Sequence, residues 1–461
     1  MRLQALALAA ALLGLQAGSA PSAAPKPAAP ASASQTGAAR AARFPSVLLI
    51  TVDTLRADRV SAYGYGRPTT PNVDRLLAGG VRFANAYTVE PLTNPSLASL
   101  FTSRYPHEHG ATRNGLPMRP GMASLSTVLG KRGFRTAAFV GNWTLRDRLS
   151  GMAEHFDDYQ EVLSRKRWVV MKGEATADDI TGSALEWLEA YRRESPSRPF
   201  LLWVHYVEPH APYRVQEEFV ERLGYAGRRD LGPAERYDTE VAFVDASIGE
   251  LLAGVRRNAG GELLTVFAGD HGESLGHHGY WGHGRHLYEA GLRVPVGISW
   301  PGRVAPRVIE PDASMLDLAP TVLGLMGYPA LPEPRGADWT RVLAGEAAPP
   351  ARITYFQAHK GAVQPVEDGS RARRRGLLEI GLLRGGRKEV LRLRTGERLL
   401  VDVAADPSDN RSLVPARSQP SPELQRWREM VERGLVSADR LPAPAVGAED
   451  AETLRSLGYL D

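Results

Sequence analysis

Four short apolar runs set the strongest limit on how this chain can fold. They are Ser46–Val52, Thr136–Val140, Phe200–Val204 and Leu263–Phe267. A continuous apolar run of this length, bounded by turn residues, is typical of a strand that is buried on both faces. Such strands occur where helices cover both sides of a parallel sheet.

Helical segments separate these runs along the chain. The predicted helices are Pro71–Ala78, Met122–Lys131, Asp178–Arg192 and Arg236–Arg256. Strands that alternate with helices predict an α/β fold, in which a mostly parallel central sheet is flanked by helices.

Polar residues follow the predicted strands at the edge where ligands bind in sheets of this kind. They are Asp53 after the first strand, Asn142 after the second, His205 and His210 after the third, and Asp270 and His271 after the fourth. Because the carboxyl ends of parallel strands meet at one edge, we expect these side chains to form a single site.

The pattern changes after about residue 345. Short strand-like pieces at Leu377–Leu383, Val390–Leu393 and Leu399–Val403 precede a helical segment at Pro422–Gly434. This pattern predicts a small antiparallel sheet with a helix, packed on the main domain. We therefore expect a main domain at 44–345 and a C-terminal subdomain at 346–461.

The first residues indicate the compartment. Arg2 precedes an apolar stretch from Leu3 to Leu15, and small residues continue to Ala20, which predicts a secretory signal peptide at 1–20 that is too short to span a membrane. A retained N-terminal anchor is the alternative. Residues 21–43 are rich in Ala, Pro and Ser and are expected to act as a linker. The prediction is a periplasmic or secreted protein with no transmembrane span in its mature chain.

The cysteine count and the charge distribution exclude some anchors, cross-links and partners. The sequence contains no cysteine, which excludes a lipoprotein anchor and disulfides. The formal net charge of +4 comes from scattered arginines, and the dense basic run between Arg371 and Arg375 is better explained as a solvated loop than as a nucleic-acid site. We expect no nucleic-acid partner.

Seven short motifs carry a resemblance to a known family. They are Val52–Asp58, Thr70–Leu76, Pro95–Pro106, Glu208–Tyr213, Asp270–Glu273, Leu287–Glu289 and Leu454–Tyr459. In this order they resemble the sulfatase branch of the alkaline phosphatase superfamily, from about Pro45 to the last residue. The resemblance implies an alkaline phosphatase-like fold, a catalytic domain at 44–345, and a hydrolase that acts on sulfuric or phosphoric ester bonds.

Two carboxylates and an imidazole at strand ends predict a cation site. Oxygen ligands suit hard divalent ions, and the resemblance assigns Asp53, Asp270 and His271 to such an ion. The resemblance implies Ca²⁺. Thr54 stands where most sulfatases have a second aspartate and is a weaker ligand, so Mn²⁺, Zn²⁺ and Mg²⁺ are also possible.

The sulfatase pattern breaks at the nucleophile. Sulfatases oxidise a Cys or Ser at this position to formylglycine, whereas this chain has Thr93, and Leu97 replaces the signature arginine. Threonine cannot be oxidised to an aldehyde because its Cβ carries a methyl group. Thr93 can instead attack directly, as in the superfamily's nucleotide pyrophosphatase/phosphodiesterases and lipid-head-group phosphotransferases, since a nearby cation lowers the pKa of a hydroxyl.

The positive charges that typical sulfatases use are also missing. Asn142 and Gly284 occupy two lysine positions. We expect His210 and His283 to act in catalysis, and Asn142, His205 and Arg285 to contact the substrate. A second metal ion, held by His210, His283 and Glu208, is the alternative use of these side chains.

The leading hypothesis is a metal-dependent hydrolase of sulfate or phosphate esters or diesters. Its substrate would be an anionic ester of a glycan, lipid or small molecule. Two alternatives remain open at this point: a catalytically silent pseudosulfatase that binds anionic glycans or lipids, and an envelope phosphotransferase. The sequence leaves open the substrate, the number of metal ions and the oligomeric state.

Overall fold

The computed structural model describes residues 45–163, 166–168, 171–172, 175–363, 376–441 and 446–456. The predicted signal peptide at 1–20, the linker at 21–43, the basic run at 371–375 and the end of the last motif, at 457–459, lie outside these residues.

The described residues contain both helices and strands throughout. The strands are β1 (Ser46–Val52), β2 (Val81–Tyr87), β3 (Arg135–Val140), β4 (Asp158–Glu161), β5 (Lys166–Trp168), β6 (Met171–Lys172), β7 (Phe200–Tyr206), β8 (Leu263–Gly269), β9 (Arg293–Ser299), β10 (Arg307–Ile309), β11 (Ala313–Ser314), β12 (Thr354–His359), β13 (Leu377–Arg384), β14 (Arg387–Arg392) and β15 (Glu397–Asp402). The helices are α1 (Pro71–Ala78), α2 (Thr93–Thr102), α3 (Pro106–His109), α4 (Leu125–Gly130), α5 (Asp147–Ser150), α6 (Ala177–Glu194), α7 (Glu217–Val220), α8 (Pro233–Asn258), α9 (Glu289–Leu292), α10 (Leu318–Leu325), α11 (Thr340–Leu343), α12 (Pro422–Ala438) and α13 (Ala448–Ser456).

The central sheet has the strand order β10-β2-β9-β8-β1-β7-β3-β4, and β11 pairs with β2. β1 runs parallel to both of its neighbours, β7 and β8, while β9 is antiparallel to β2 and β8. The predicted mostly parallel sheet with flanking helices is therefore confirmed, and β1 lies in its interior.

Every residue of β1 is buried because the strand contributes to a core on each face. Val47 and Leu49 pack into one hydrophobic cluster, whereas Leu48, Ile50 and Val52 pack into another. Successive side chains of a strand point to opposite faces, so a run of apolar residues without alternation is what a doubly covered strand requires.

The helix predictions agree with the structure except at some ends. α1 has the predicted bounds, α6 and α8 are longer than predicted, and α4 begins at Leu125 rather than at Met122. The later start of α4 has a local cause, since the Ser124 side chain accepts a hydrogen bond from the Thr127 N–H and caps the helix. β7 continues to Tyr206, so His205 lies within the strand and not after it, which corrects the prediction.

The C-terminal region forms a second, four-stranded antiparallel sheet in the order β12-β13-β14-β15. Gly385 and Gly386 join β13 to β14 and both have positive φ, as a two-residue hairpin turn requires. Helix α12 packs on this sheet through Trp427 and Leu435, in one cluster with Val89 of the main domain. The predicted small sheet with a helix is confirmed. Among the described residues, no helix combines the length and hydropathy needed to cross a bilayer.

Candidate active site

Three adjacent strand ends bring together the first group of polar side chains. Asp53 follows β1, Asp270 follows β8, and His205 is near the end of β7. All three are fully buried, and one ligand atom from each lies within 4.8 Å of the others. β1 pairs with both β7 and β8, so the register of the sheet itself sets this spacing.

Thr54 is held in an unusual backbone conformation directly after Asp53. Its φ is +53°, a region that β-branched residues rarely adopt. Its N–H donates to Asp270 Oδ1 at 3.1 Å, and its carbonyl accepts the Tyr237 hydroxyl at 2.7 Å. The turn is therefore fixed from both sides, and the Thr54 hydroxyl is buried without a hydrogen-bond partner among the described residues.

The two carboxylates face each other with one oxygen of each unused. Asp270 Oδ1 accepts the backbone N–H groups of Thr54 and His271, but neither Asp270 Oδ2 nor Asp53 Oδ1 accepts a hydrogen bond from a described residue. Burial, and then the charge of Asp53, raises the pKa of Asp270 well above its usual value. Burial also raises the pKa of Asp53, but the neighbouring histidines, His210 first, lower it to a net value below normal.

His271 completes this group as a neutral imidazole. Its Nδ1 donates to the Gly272 carbonyl at 2.9 Å, which leaves the Nε2 lone pair toward the carboxylates. Nε2 is 3.5 Å from Asp53 Oδ1 and 3.7 Å from Asp270 Oδ2. Burial and the adjacent His283 lower the pKa of His271 to about 3. Buried carboxylate oxygens without partners and a neutral imidazole form a donor set that suits a divalent cation.

His205 is closer to this donor set than its predicted substrate role implies. Its Nδ1 is hydrogen-bonded to Thr51 Oγ1 at 2.8 Å, and its Nε2 is 3.9 Å from Asp53 Oδ2. Because that nitrogen has no hydrogen-bond partner among the described residues, His205 is available as a further ligand.

Thr93 is the first residue of α2, at the end of the helix that carries partial positive charge. It is fully buried, and its Oγ1 is 3.4 Å from His271 Nε2. Three residues later, Ser96 Oγ donates to the Asp270 carbonyl at 2.6 Å, which ties the helix to the end of β8. Leu97, at the position of the missing arginine, is fully buried in the hydrophobic core.

Asn142 and Gly284 both lie in close contact with the residues around Asp53 and Thr93. Asn142 Nδ2 donates to Asp53 Oδ2, and Asn142 Oδ1 accepts the Thr144 N–H at 2.7 Å. Gly284 has a φ of +92°, and a Cβ there would lie 2.6 Å from Leu92 Cδ2. A longer side chain at position 284 would therefore displace the residue that precedes Thr93.

A second group of ionisable side chains lies beside the first. The His283 ring centroid is 4.5 Å from that of His271 and 5.0 Å from that of His210. His283 Nδ1 is 3.5 Å from Glu273 Oε2. Burial lowers the pKa of His283, but the contact with Glu273 outweighs it and the net pKa is raised. Burial lowers the pKa of His210 to about 4, and its Nδ1 donates to the Ala211 carbonyl at 2.7 Å.

Glu273 is the functional candidate that the sequence reasoning missed. It is fully buried, and it is the carboxylate paired with His283. Its signal was its place in the motif Asp270–Glu273, two residues after the second predicted ligand, His271. Arg285 lies near Tyr280, whose hydroxyl donates to the His283 carbonyl at 2.6 Å.

Comparisons with known proteins identify the family to which the chain is similar. The family model described as Sulfatase matches residues 45–328, more than half of the chain. Human arylsulfatase A is 28% identical over 375 residues, covering 68% of this chain and 71% of that protein. N-acetylglucosamine-6-O-sulfatase of Bacteroides thetaiotaomicron is 25% identical over 422 residues, covering 68% of this chain and 74% of that protein.

Solved structures show the same fold at lower identity. A protein solved in complex with its substrate D-glucosamine-2-N,6-O-disulfate has a TM-score of 0.65 and 21% identity, covering 87% of this chain and all of the other. The phosphonate monoester hydrolase of Agrobacterium radiobacter has a TM-score of 0.63 and 20% identity, covering 86% of this chain and 95% of the other.

Proposed function

The chain belongs to the sulfatase family of the alkaline phosphatase superfamily, a family of ester hydrolases, and we propose that it cleaves sulfate or phosphate esters with Thr93 as its nucleophile. The observation that carries the proposal is the position of the Thr93 hydroxyl. It lies at the start of a buried helix, 3.4 Å from an imidazole that also faces two carboxylates.

A divalent cation would be held by Asp53, Asp270 and His271, with His205 also in reach, and Thr54 is the proposed further ligand directly after Asp53. When bound, the ion supplies a Lewis acid that lowers the pKa of the nucleophilic hydroxyl and stabilises charge on the ester oxygens. The buried oxygens of Asp53 and Asp270 that accept no hydrogen bond support this assignment, because an uncompensated buried carboxylate pair is costly.

The chemistry proceeds in two steps in this proposal. The Thr93 oxygen, which is deprotonated before the cycle begins, forms a bond to the sulfur or phosphorus, and the bond to the organic oxygen breaks. His283, oriented by Glu273, gives a proton to the departing oxygen. Water then attacks the Thr93 ester, with His210 as the acceptor of its proton, and releases the Thr93 alkoxide with inorganic sulfate or phosphate, or with the remaining monoester of a diester. His210 then passes that proton to His283, whose ring centroid is 5.0 Å away, and both residues return to their starting states.

A phosphodiester or a phosphonate ester suits this site better than a sulfate ester. In sulfatases, two lysines and an arginine balance the sulfate charge, according to the resemblance described above. In this chain the three positions are occupied by Asn142, Gly284 and Leu97. Asn142 is hydrogen-bonded to Asp53, Gly284 packs on Leu92, and Leu97 lies in the hydrophobic core. Asn142, His205 and Arg285 remain the proposed substrate contacts.

We also propose the division of the chain and its location. The catalytic domain is 44–345 and the C-terminal subdomain 346–461, which is supported by the start of the second sheet at Thr354. Residues 1–20 are the proposed signal peptide and 21–43 the linker, which places the enzyme in the periplasm or outside the cell.

Turnover of simple esters tests the proposal. The purified chain is assayed on an aryl sulfate, an aryl phosphate and a bis-aryl phosphate, with and without added Mn²⁺, Zn²⁺ or Ca²⁺. Cation-dependent release of the aryl alcohol is expected, with the bis-aryl phosphate favoured. A chain that binds these cations but releases no alcohol from any ester is a silent binder. Release that depends on an added alcohol acceptor identifies a transferase.

A further inference from the structure

The connection from β8 to β9 carries an exposed aromatic side chain close to the site. The large hydrophobic residues exposed among the described ones are Trp281, Val308, Leu413, Met430 and Val436. Trp281 is the aromatic member of this set, and its exposed fraction is 57%. It is two residues before His283, so its Cα lies within about 7 Å of that residue's Cα.

Backbone hydrogen bonds hold this part of the connection in a narrow hairpin-like loop. The Ser274 N–H donates to the Gly282 carbonyl at 3.1 Å, and the Gly276 N–H donates to the Tyr280 carbonyl at 3.0 Å. The Tyr280 hydroxyl donates to the His283 carbonyl. The segment that presents Trp281 is thus fixed relative to His283.

The indole itself is supported from one side by the backbone of Gly276. A Cβ at Gly276 would lie 2.8 Å from Cζ2 of Trp281, so only glycine permits this close approach. Packing against Gly276 orders the indole while more than half of the residue remains in water. An exposed indole that is already ordered offers a stacking surface at low entropic cost.

We infer that Trp281 stacks against the organic group of the ester and selects substrates whose leaving group presents a ring with an apolar face. The inference rests on the proposed function, because it concerns the same ester. The chemistry of recognition is a π-face or the apolar face of a pyranose against the indole. Since His283 is assigned to the departing oxygen, the group attached to that oxygen leaves past the neighbouring Trp281.

Equilibrium binding tests the inference without turnover. Calorimetry on the full chain with Mn²⁺ compares phenylphosphonate, a pyranose 6-phosphonate and methylphosphonate, which share the anionic group and cannot be hydrolysed at an ester bond. Trp281→Ala is expected to weaken binding of a ring-bearing phosphonate about tenfold and to leave methylphosphonate unchanged. A larger loss of affinity for phenylphosphonate identifies an aryl leaving group, and a larger loss for the pyranose 6-phosphonate identifies a glycosyl one.

Two further variants separate stacking from a structural effect. Trp281→Phe keeps a flat ring and should restore most of the affinity, whereas Leu413→Ala removes an exposed aliphatic side chain elsewhere and should change nothing. Equal weakening of all three phosphonates by Trp281→Ala, no weakening of any, or a wild-type chain that binds no ring-bearing phosphonate more tightly than methylphosphonate would each overturn the inference.

The outcome is separate from that of the proposed function. A chain that shows the ring preference but hydrolyses no ester retains the Trp281 site and loses the hydrolase assignment. If Trp281→Ala hydrolyses aryl and methyl phosphate esters, and its KM for each ester equals that of wild type, the hydrolase assignment is retained and the Trp281 site is excluded.

Discussion

Ser96 Oγ donates a 2.6 Å hydrogen bond to the backbone carbonyl of Asp270. The bond joins the helix that begins with the proposed nucleophile to the strand end that carries a proposed metal ligand. Thr88 Oγ1 donates to the same Ser96 oxygen at 2.8 Å, so the serine is held from a second side. The distance between Thr93 and the cation ligands is therefore set by a short, fully buried network.

Ser96→Ala should loosen that network. The buried Asp270 carbonyl would lose its Ser96 partner, which costs about 1–3 kcal/mol of unfolding free energy, whereas the Thr88 hydroxyl keeps the Glu90 carbonyl as an acceptor. Denaturant unfolding measures this cost. Ser183→Ala is the matched control, because Ser183 makes only a local bond to the Asp179 carbonyl within α6 and its loss should cost less than about 0.5 kcal/mol. Equal costs for the two variants would contradict the role of Ser96.

Asp270→Ala and His271→Ala should each abolish binding of the divalent cation. Removal of one ligand from a site with few donors leaves an incomplete shell. Metal content per chain, measured by mass spectrometry of the dialysed protein, should fall close to zero in both variants and remain unchanged in Glu186→Ala, an exposed carboxylate on α6. Full occupancy in either ligand variant would show that the cation is held elsewhere.

Gly284→Ala should destabilise the protein more than Gly279→Ala. Both glycines have positive φ, so both variants pay the strain of that conformation, about 1 kcal/mol or more. The two differ in their surroundings. A Cβ added at Gly284 would meet Leu92 at 2.6 Å, whereas a Cβ added at Gly279 would meet no described neighbour within 4 Å. Overpacking adds about 1–3 kcal/mol. Thermal unfolding of both variants checks the difference, and equal shifts would refute the packing explanation.

Export should remove the first residues. If 1–20 is a signal peptide, the mature protein begins near Pro21 and is found outside the cytoplasm. Intact mass measurement of the exported fraction locates the first residue. Recovery of chains that still begin with Met1 would indicate a retained anchor.

The sequence predicts the fold well because its strands carry a clear signal. Ser46–Val52 and Pro71–Ala78 have the predicted bounds, since doubly buried strands and helices that begin at proline leave distinct patterns. The helix that begins at Thr93 leaves no such pattern in the sequence. All ten of its residues are buried, so polar and apolar positions do not alternate along it.

The site is partly predictable for a related reason. Asp53 and Asp270 stand directly after strands, and the parallel sheet brings them together. The pairing of Glu273 with His283 depends on how the β8–β9 connection folds back on itself over ten residues. The packing of Gly284 on Leu92 depends on the same loop. Side-chain contacts of this kind have no periodic pattern, so only the structure reveals them.

The most direct test of Thr93 as the nucleophile is the turnover of Thr93→Ala in the presence of the cation. We expect this variant to bind the cation like wild type, because Asp53, Asp270 and His271 are unchanged, and to lose nearly all turnover of the best ester. Thr93→Ser should keep part of the activity, because the hydroxyl remains and only the orienting methyl group is lost. If Thr93→Ala hydrolyses the ester as fast as wild type, water attacks directly and Thr93 is not the nucleophile.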